Sequence, residues 1–175
     1  MNVFILNTGR CGSTTFIKAC QHISNYSAAH ESRIRLTGST RLDYPNNHIE
    51  ADNRLSWFLG RLDQRYGDNA IYIHLQREHD STVESFSKRS SFGIMKAYRE
   101  GIYLDKEAQS SKPYEDDYIN TVNANIELFL KDKTHKMIFH LQQARQDFRQ
   151  FWQLVDAEGD IESALLEWDV NYNHS

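Results

Sequence analysis

The stretch VFILNTGRCGSTTF, residues 3–16, decides the fold. Val3 to Asn7 reads as a buried strand, because its apolar run shows no alternation with polar residues. Phe16, Ile17, Cys20 and Ile23 then recur at helical spacing. Between them lies a hinge, Thr8 to Thr15, rich in glycine and hydroxyl groups. A strand that turns tightly into a helix aims several backbone N–H groups at one point, and the helix dipole adds partial positive charge there. Gly9 and Gly12 permit the tight path and a close ligand approach. Ser13, Thr14 and Thr15 add hydroxyl donors, and Arg10 adds a fixed positive fork. The hinge therefore reads as an anion cradle; the plain alternative is an ordinary strand–helix turn with a cap.

Known nucleotide loops do not describe it. The interval from Gly9 to Gly12 is too short for G-x-x-x-x-G-K-[ST], and no lysine follows Gly12. G-x-G-x-x-G is also absent. The expected anion is not the triphosphate–magnesium unit of a kinase.

Working outward, Leu55, Phe58, Leu59, Leu62 and Tyr66 share one helical face, closed by Gly67. Ile71 to Leu75 is the second clear strand. Ser81 and Glu84 have capping-box spacing and predict a helix through about Arg89. Tyr118, Val122, Ile126, Phe129 and Leu130 mark a long helix, and Lys136 to Leu141 a third strand. Ala144, Phe148, Phe151, Trp152 and Val155 line the next helix. Gly159 and Asp160 break and recap the chain before a last helix with Ile161, Leu165 and Trp168. Residues 33–47 read as loop and 90–113 as partly helical. This alternation predicts one α/β domain over residues 1–175, in three layers, with a small, mainly parallel sheet flanked by helices. Ligands of such sheets sit at the carboxyl ends of strands. The hinge and the segment Gln76 to Ser90 both have that address.

Composition narrows the function. A net charge of −4 argues against a chain that coats nucleic acid or anionic membrane, so any anion must be held by a local cluster of donors. The run Val3 to Leu6 is too short for a signal segment or a membrane span, and no later run is longer. Cys11 and Cys20 fit neither a metal pattern nor a disulfide scaffold. These features predict a cytoplasmic protein without a metal.

TGRCGSTTF, residues 8–16, resembles the 5′-phosphosulfate loop of the sulfotransferases: a strand, a basic residue, x-G-[ST]-[ST] and a helix. The resemblance implies that Gly9, Arg10, Cys11, Gly12, Ser13, Thr14 and Thr15 grip the 5′ end of 3′-phosphoadenosine 5′-phosphosulfate (PAPS). Arg10 is similar to the arginine of many carbohydrate and tyrosyl-protein members, where cytosolic small-molecule members carry lysine. The family's second signature is a strand-end arginine with a serine eight residues on, both holding the 3′-phosphate. Arg77, closing IYIHLQR, and Ser85 match it, with Lys88 and Arg89 reinforcing the field. The Arg-Lys-Gly element that the cytosolic enzymes place over this phosphate has no counterpart. The implied fold is the P-loop-like sulfotransferase architecture.

Sulfuryl transfer needs a base for the acceptor hydroxyl. Tyr26 to Ala29 reads as a short strand that would bring His30 and Glu31 beside the loop. Glu31 with Arg33 resembles the base glutamate and following arginine of tyrosyl-protein and several bacterial members, so Glu31 is the first candidate and His30 the second. His48, next to Glu50 in a possible strand-end loop, is the other contender. His74 reads as packed within its strand, and His22, His79, His135, His140 and His174 have no supporting motif. Asp52 and Arg54 line the acceptor site on position alone. Trp57, Trp152 and Trp168 lie on helical stripes and read as core. The expectation is a PAPS-dependent sulfotransferase acting by in-line attack on a hydroxyl of a sugar, peptide or small metabolite. The acceptor would lie in a cleft formed by residues 33–56 and 90–113. The alternatives are a nucleotide-binding module without transfer, and a divergent ATP-dependent phosphotransferase.

Overall fold

The computed structural model describes residues 1–106, 113–170 and 172. Its strands are β1 (Asn2–Leu6), β2 (Ser27–His30), β3 (His48–Ala51), β4 (Ala70–Gln76) and β5 (Lys136–His140). The helices are α1 (Ser13–Cys20), α2 (Leu59–Tyr66), α3 (His79–Ser87), α4 (Gly93–Ala97), α5 (Tyr114–Leu130), α6 (Ala144–Leu154) and α7 (Ile161–Leu166). All five strands pair in parallel, in the order β2-β3-β1-β4-β5. Every residue of β1 is buried, as its unbroken apolar run requires of a central strand.

Side chains alternate across β1 and divide the core. Val3 and Ile5 face one layer with α1, α6 and α7, where Phe16, Phe148, Phe151 and Leu165 pack against Ile49, Ile73 and Phe139. Phe4 and Leu6 face the other, with Leu62 of α2, Phe86 of α3 and Tyr118, Val122 and Ile126 of α5. Burying each such side chain stabilises the fold by about 1.5–3 kcal/mol. The result is a three-layer α/β fold. Among the described residues no helix is long and apolar enough to cross a membrane.

The connections make the crevice. After β1 the chain enters α1 on one face of the sheet; after β4 it enters α3 and α5 on the other. These neighbouring strands send their loops to opposite sides, which opens a cleft above their carboxyl ends.

Local differences from the sequence reading have physical causes. The predicted 55–66 helix is broken at Phe58: a 3₁₀ turn, Asn53–Trp57, begins under the Asp52 side chain, which accepts from Arg54 N. The Ser81–Glu84 capping box does not form. Glu78 caps α3 instead, accepting from Asp80 N at 2.9 Å and Ser81 N at 2.7 Å, so the helix starts two residues before Ser81. His48 lies within β3 rather than in a loop. The stretch 33–47 holds a 3₁₀ turn, Gly38–Leu42. The stretch 90–113 holds α4 and a π turn, Tyr98–Ile102. Its residues 107–112, like His174, lie outside the described residues.

Candidate functional site

Register brings the two sequence motifs together. Leu6 of β1 pairs with His74 of β4, so the segments just past these residues emerge side by side. There Arg77 donates to the Arg10 carbonyl at 3.2 Å, and Arg10 Nε donates to Ser85 Oγ at 2.9 Å. The loop is held in an unusual path. Gly9, Arg10 and Gly12 all have left-handed backbones, with φ of 88°, 60° and 86°. For Arg10 this costs about 1–2 kcal/mol, and such strain persists only where neighbours over-determine it. Here Asn7 Oδ1 takes Gly9 N at 2.8 Å and the Tyr118 hydroxyl donates to the Thr8 carbonyl at 2.8 Å. Gly12 is doubly constrained, since a Cβ there would lie 2.7 Å from Leu141 Cδ1. Gly12 also stands at the N-cap of α1 with no side chain to cap it, so the first-turn amides of Ser13, Thr14 and Thr15 are left for other acceptors.

Two clefts meet on this loop. The first, about 480 Å³, is lined by Arg10, Gly12, Thr15, Arg77, Ser81, Ser85, Lys88 and Arg89, with Leu141 and Trp168 as an apolar wall. Its potential is positive near the loop: burial, then the charges of Arg89 and Arg77, hold the Arg10 pKa below its ordinary value. Among the described residues the carboxylates on its rim are already engaged, Glu84 with Lys88 at 2.8 Å and Asp169 with Arg145 at 2.9 Å.

The second cleft, about 260 Å³, shares Arg10, Gly12 and Arg89 with the first and adds Gly9, Ser13, Thr14, His30, Glu31, Asn53 and Arg54. Phe86, Phe92, Ile94 and Met95 form its far wall. Glu31 follows the last residue of β2 with a left-handed φ of 52°, and its N–H is tied to the Ala51 carbonyl at 3.0 Å. Its carboxylate meets Arg54 at 3.0 Å. Arg33, two residues on, donates to the Thr40 carbonyl at 3.3 Å and lies over the Tyr44 ring. His30 Nε2 and Ser13 Oγ are 2.9 Å apart, which links β2 to the loop.

The remaining candidates divide clearly. Cys11 is buried and its thiol turns to Thr8 Oγ1 and the Gly9 carbonyl, each at 3.1 Å. Only its backbone is left to contact a ligand, and burial pushes its pKa up. His48 and Glu50 are inside the fold: His48 Nε2 bonds Glu50 at 3.0 Å, and Glu50 also accepts from Ser32 N and Oγ at 2.7 and 2.6 Å. That bracing fixes the turn on which Glu31 stands. Asp52 is fully buried on Arg41, while Arg54 lines the second cleft. His74 is packed, bonded to Asn123 at 3.1 Å, and burial lowers its pKa. Of the tryptophans, Trp168 stacks on Phe139 at 5.4 Å yet reaches the first cleft, and Trp57 is 45% exposed rather than core.

The sequence reading missed Asn53, Leu141 and the Phe86–Met95 wall. Asn53 packs against Gly9, and Leu141 against the Gly12 backbone. Neither contact leaves a signal in the sequence, because each depends on a partner elsewhere in the chain. No family model matches the chain, and no curated protein matches it at a significant level.

Proposed function

We propose that the chain is a sulfotransferase that moves a sulfuryl group from PAPS to an acceptor hydroxyl. The observation that carries this reading is the loop shared by two clefts: Arg10 and Gly12 line a cationic cleft on one side and one containing Glu31 on the other. A donor whose 5′ end rests on the loop amides and Arg10, and whose 3′-phosphate rests on Arg77, Ser85 and Lys88, would present its sulfur toward the second cleft. The acceptor oxygen then attacks sulfur as the bond from sulfur to the 5′-phosphate oxygen breaks. The electron pair of that bond leaves with the phosphate, and the acceptor proton passes to Glu31. Arg10 and the helix-start amides steady the charge on the departing oxygen. The products are a sulfate ester and 3′-phosphoadenosine 5′-phosphate.

Binding and turnover test it separately. In calorimetry the 3′,5′-bisphosphate binds and AMP and ATP with magnesium do not; stabilisation by ATP with magnesium alone would favour a phosphotransferase. With labelled donor, Glu31→Gln abolishes transfer and leaves bisphosphate affinity within about twofold, since Glu31 does not line the donor cleft. Full activity in this variant would pass the role of base to His30. The ion pair with Arg54, which engages the Glu31 carboxylate, favours one rival: a bisphosphate-binding module without transfer. Tight binding with no turnover on any acceptor would select it.

A further inference from the structure

A third depression continues the second cleft. It has a volume of about 330 Å³ and is lined by Trp57, Ile94, Ala97, Tyr98 and Ile102, with Arg54 at one end. Arg54 and Ile94 belong to both spaces. Since the Arg54 guanidinium stands 3.0 Å from the Glu31 carboxylate, one side chain separates the candidate base from the apolar groove. Trp57 and Ile102 are 45% and 57% exposed and share one depression with Phe58, Ile94 and Ala97, so their apolar surface forms a contiguous patch. The groove floor is a π turn, in which Tyr103 N donates to the Tyr98 carbonyl at 3.3 Å; such turns concentrate at functional sites. Its size falls within the range of small-molecule pockets, about 300–1,000 Å³.

We propose that this groove receives the apolar body of the acceptor, and that the acceptor is a small phenol; the inference rests on the sulfotransferase reading of the adjoining cleft. A sugar seated here would lose water from its hydroxyls and find few partners, a costly exchange. The Tyr98 hydroxyl is already committed to Asp117 at 2.6 Å, and apart from Arg54, which is paired with Glu31, the other lining side chains are hydrocarbon or indole. The base supplies the second reason. A phenol ionises near pH 10, as tyrosine does, so a carboxylate draws its proton far more readily than that of a sugar or aliphatic hydroxyl.

The test uses the whole chain with 4-phenylphenol and methyl β-glucoside, each titrated with and without the 3′,5′-bisphosphate and followed by saturation-transfer NMR and calorimetry. 4-Phenylphenol binds and the glucoside does not. Trp57→Ala and Ile102→Asp weaken phenol binding at least tenfold, with unchanged bisphosphate affinity and unchanged unfolding midpoints, because both side chains are exposed. With labelled donor, sulfate passes to 4-phenylphenol and both variants raise KM more than they lower kcat. Equal binding of the two compounds, or phenol binding indifferent to both variants, would overturn the proposal. So would a dimer in light scattering that Ile102→Asp splits, because a second copy would then cover the groove. Absence of bisphosphate binding removes the sulfotransferase reading instead; phenol binding that still depends on Trp57 would then keep the groove as a phenol site.

Discussion

Two clusters of charge in this fold are built in opposite ways. In the buried cluster the charges answer one another: Arg41 rests on Asp52, and Glu50 collects His48 and both donors of Ser32. In the open cluster Arg10 has Arg77 and Arg89 as charged neighbours of its own sign, and Lys88, paired with Glu84 at the rim, lines the same cleft. The first completes its electrostatics within the protein and so reads as structure. The second converges donors on one space, an arrangement that an anion from solvent would stabilise. Charge content does not distinguish a site from a brace; the sign of the neighbours does.

The sharpest way to break this contrast is to delete one cation from each cluster. Arg41→Met removes the buried cation on the Asp52 carboxylate, leaving it the Arg54 amide and a more distant Arg54 guanidinium at 3.8 Å, and lowers stability by about 3 kcal/mol, read from urea unfolding. Arg77→Ala changes stability by no more than about 0.5 kcal/mol, because it removes one of the charges pressing on Arg10. Its cost falls on binding: calorimetry with the 3′,5′-bisphosphate loses about 1.5–3 kcal/mol, the worth of a charged hydrogen bond. Equal destabilisation by the two substitutions would erase the distinction. Unchanged bisphosphate affinity in Arg77→Ala would leave the open cluster without its ligand.

The same contrast explains what the sequence could tell. β1, β4 and the hinge between β1 and α1 are legible, because an apolar run and a glycine-hydroxyl cluster are local signals. β3 is not. Its HIEA segment turns His48 and Glu50 inward, and they are tolerated there only because Ser27, Ser32 and Tyr44 meet them, at positions no hydropathy pattern connects. Trp57 misled in the reverse sense: its helical spacing suggests core, but the helix breaks at Phe58 and leaves the indole at the groove. Arg54 was assigned by position, yet its contact with Glu31 needs the β2–β3 pairing that sets Glu31 N on the Ala51 carbonyl. Local chemistry was readable; the partners that decide its use come from the sheet order.

The smallest expected effect sharpens the comparison within the open cluster itself. Arginine is only a donor, so in the contact at 2.9 Å the Ser85 oxygen accepts from Arg10 and keeps its own O–H to give. Ser85 therefore serves twice, aiming Arg10 and offering a neutral donor to the cleft. Ser85→Ala lowers bisphosphate affinity by about 0.5–1.5 kcal/mol, less than the loss of a charged partner, and Ser85→Thr restores most of it. If Ser85→Ala instead binds like the parent while Arg77→Ala does not, the serine is a helix-surface residue that merely touches the loop. The donor end of the site would then rest on the cations and backbone amides alone.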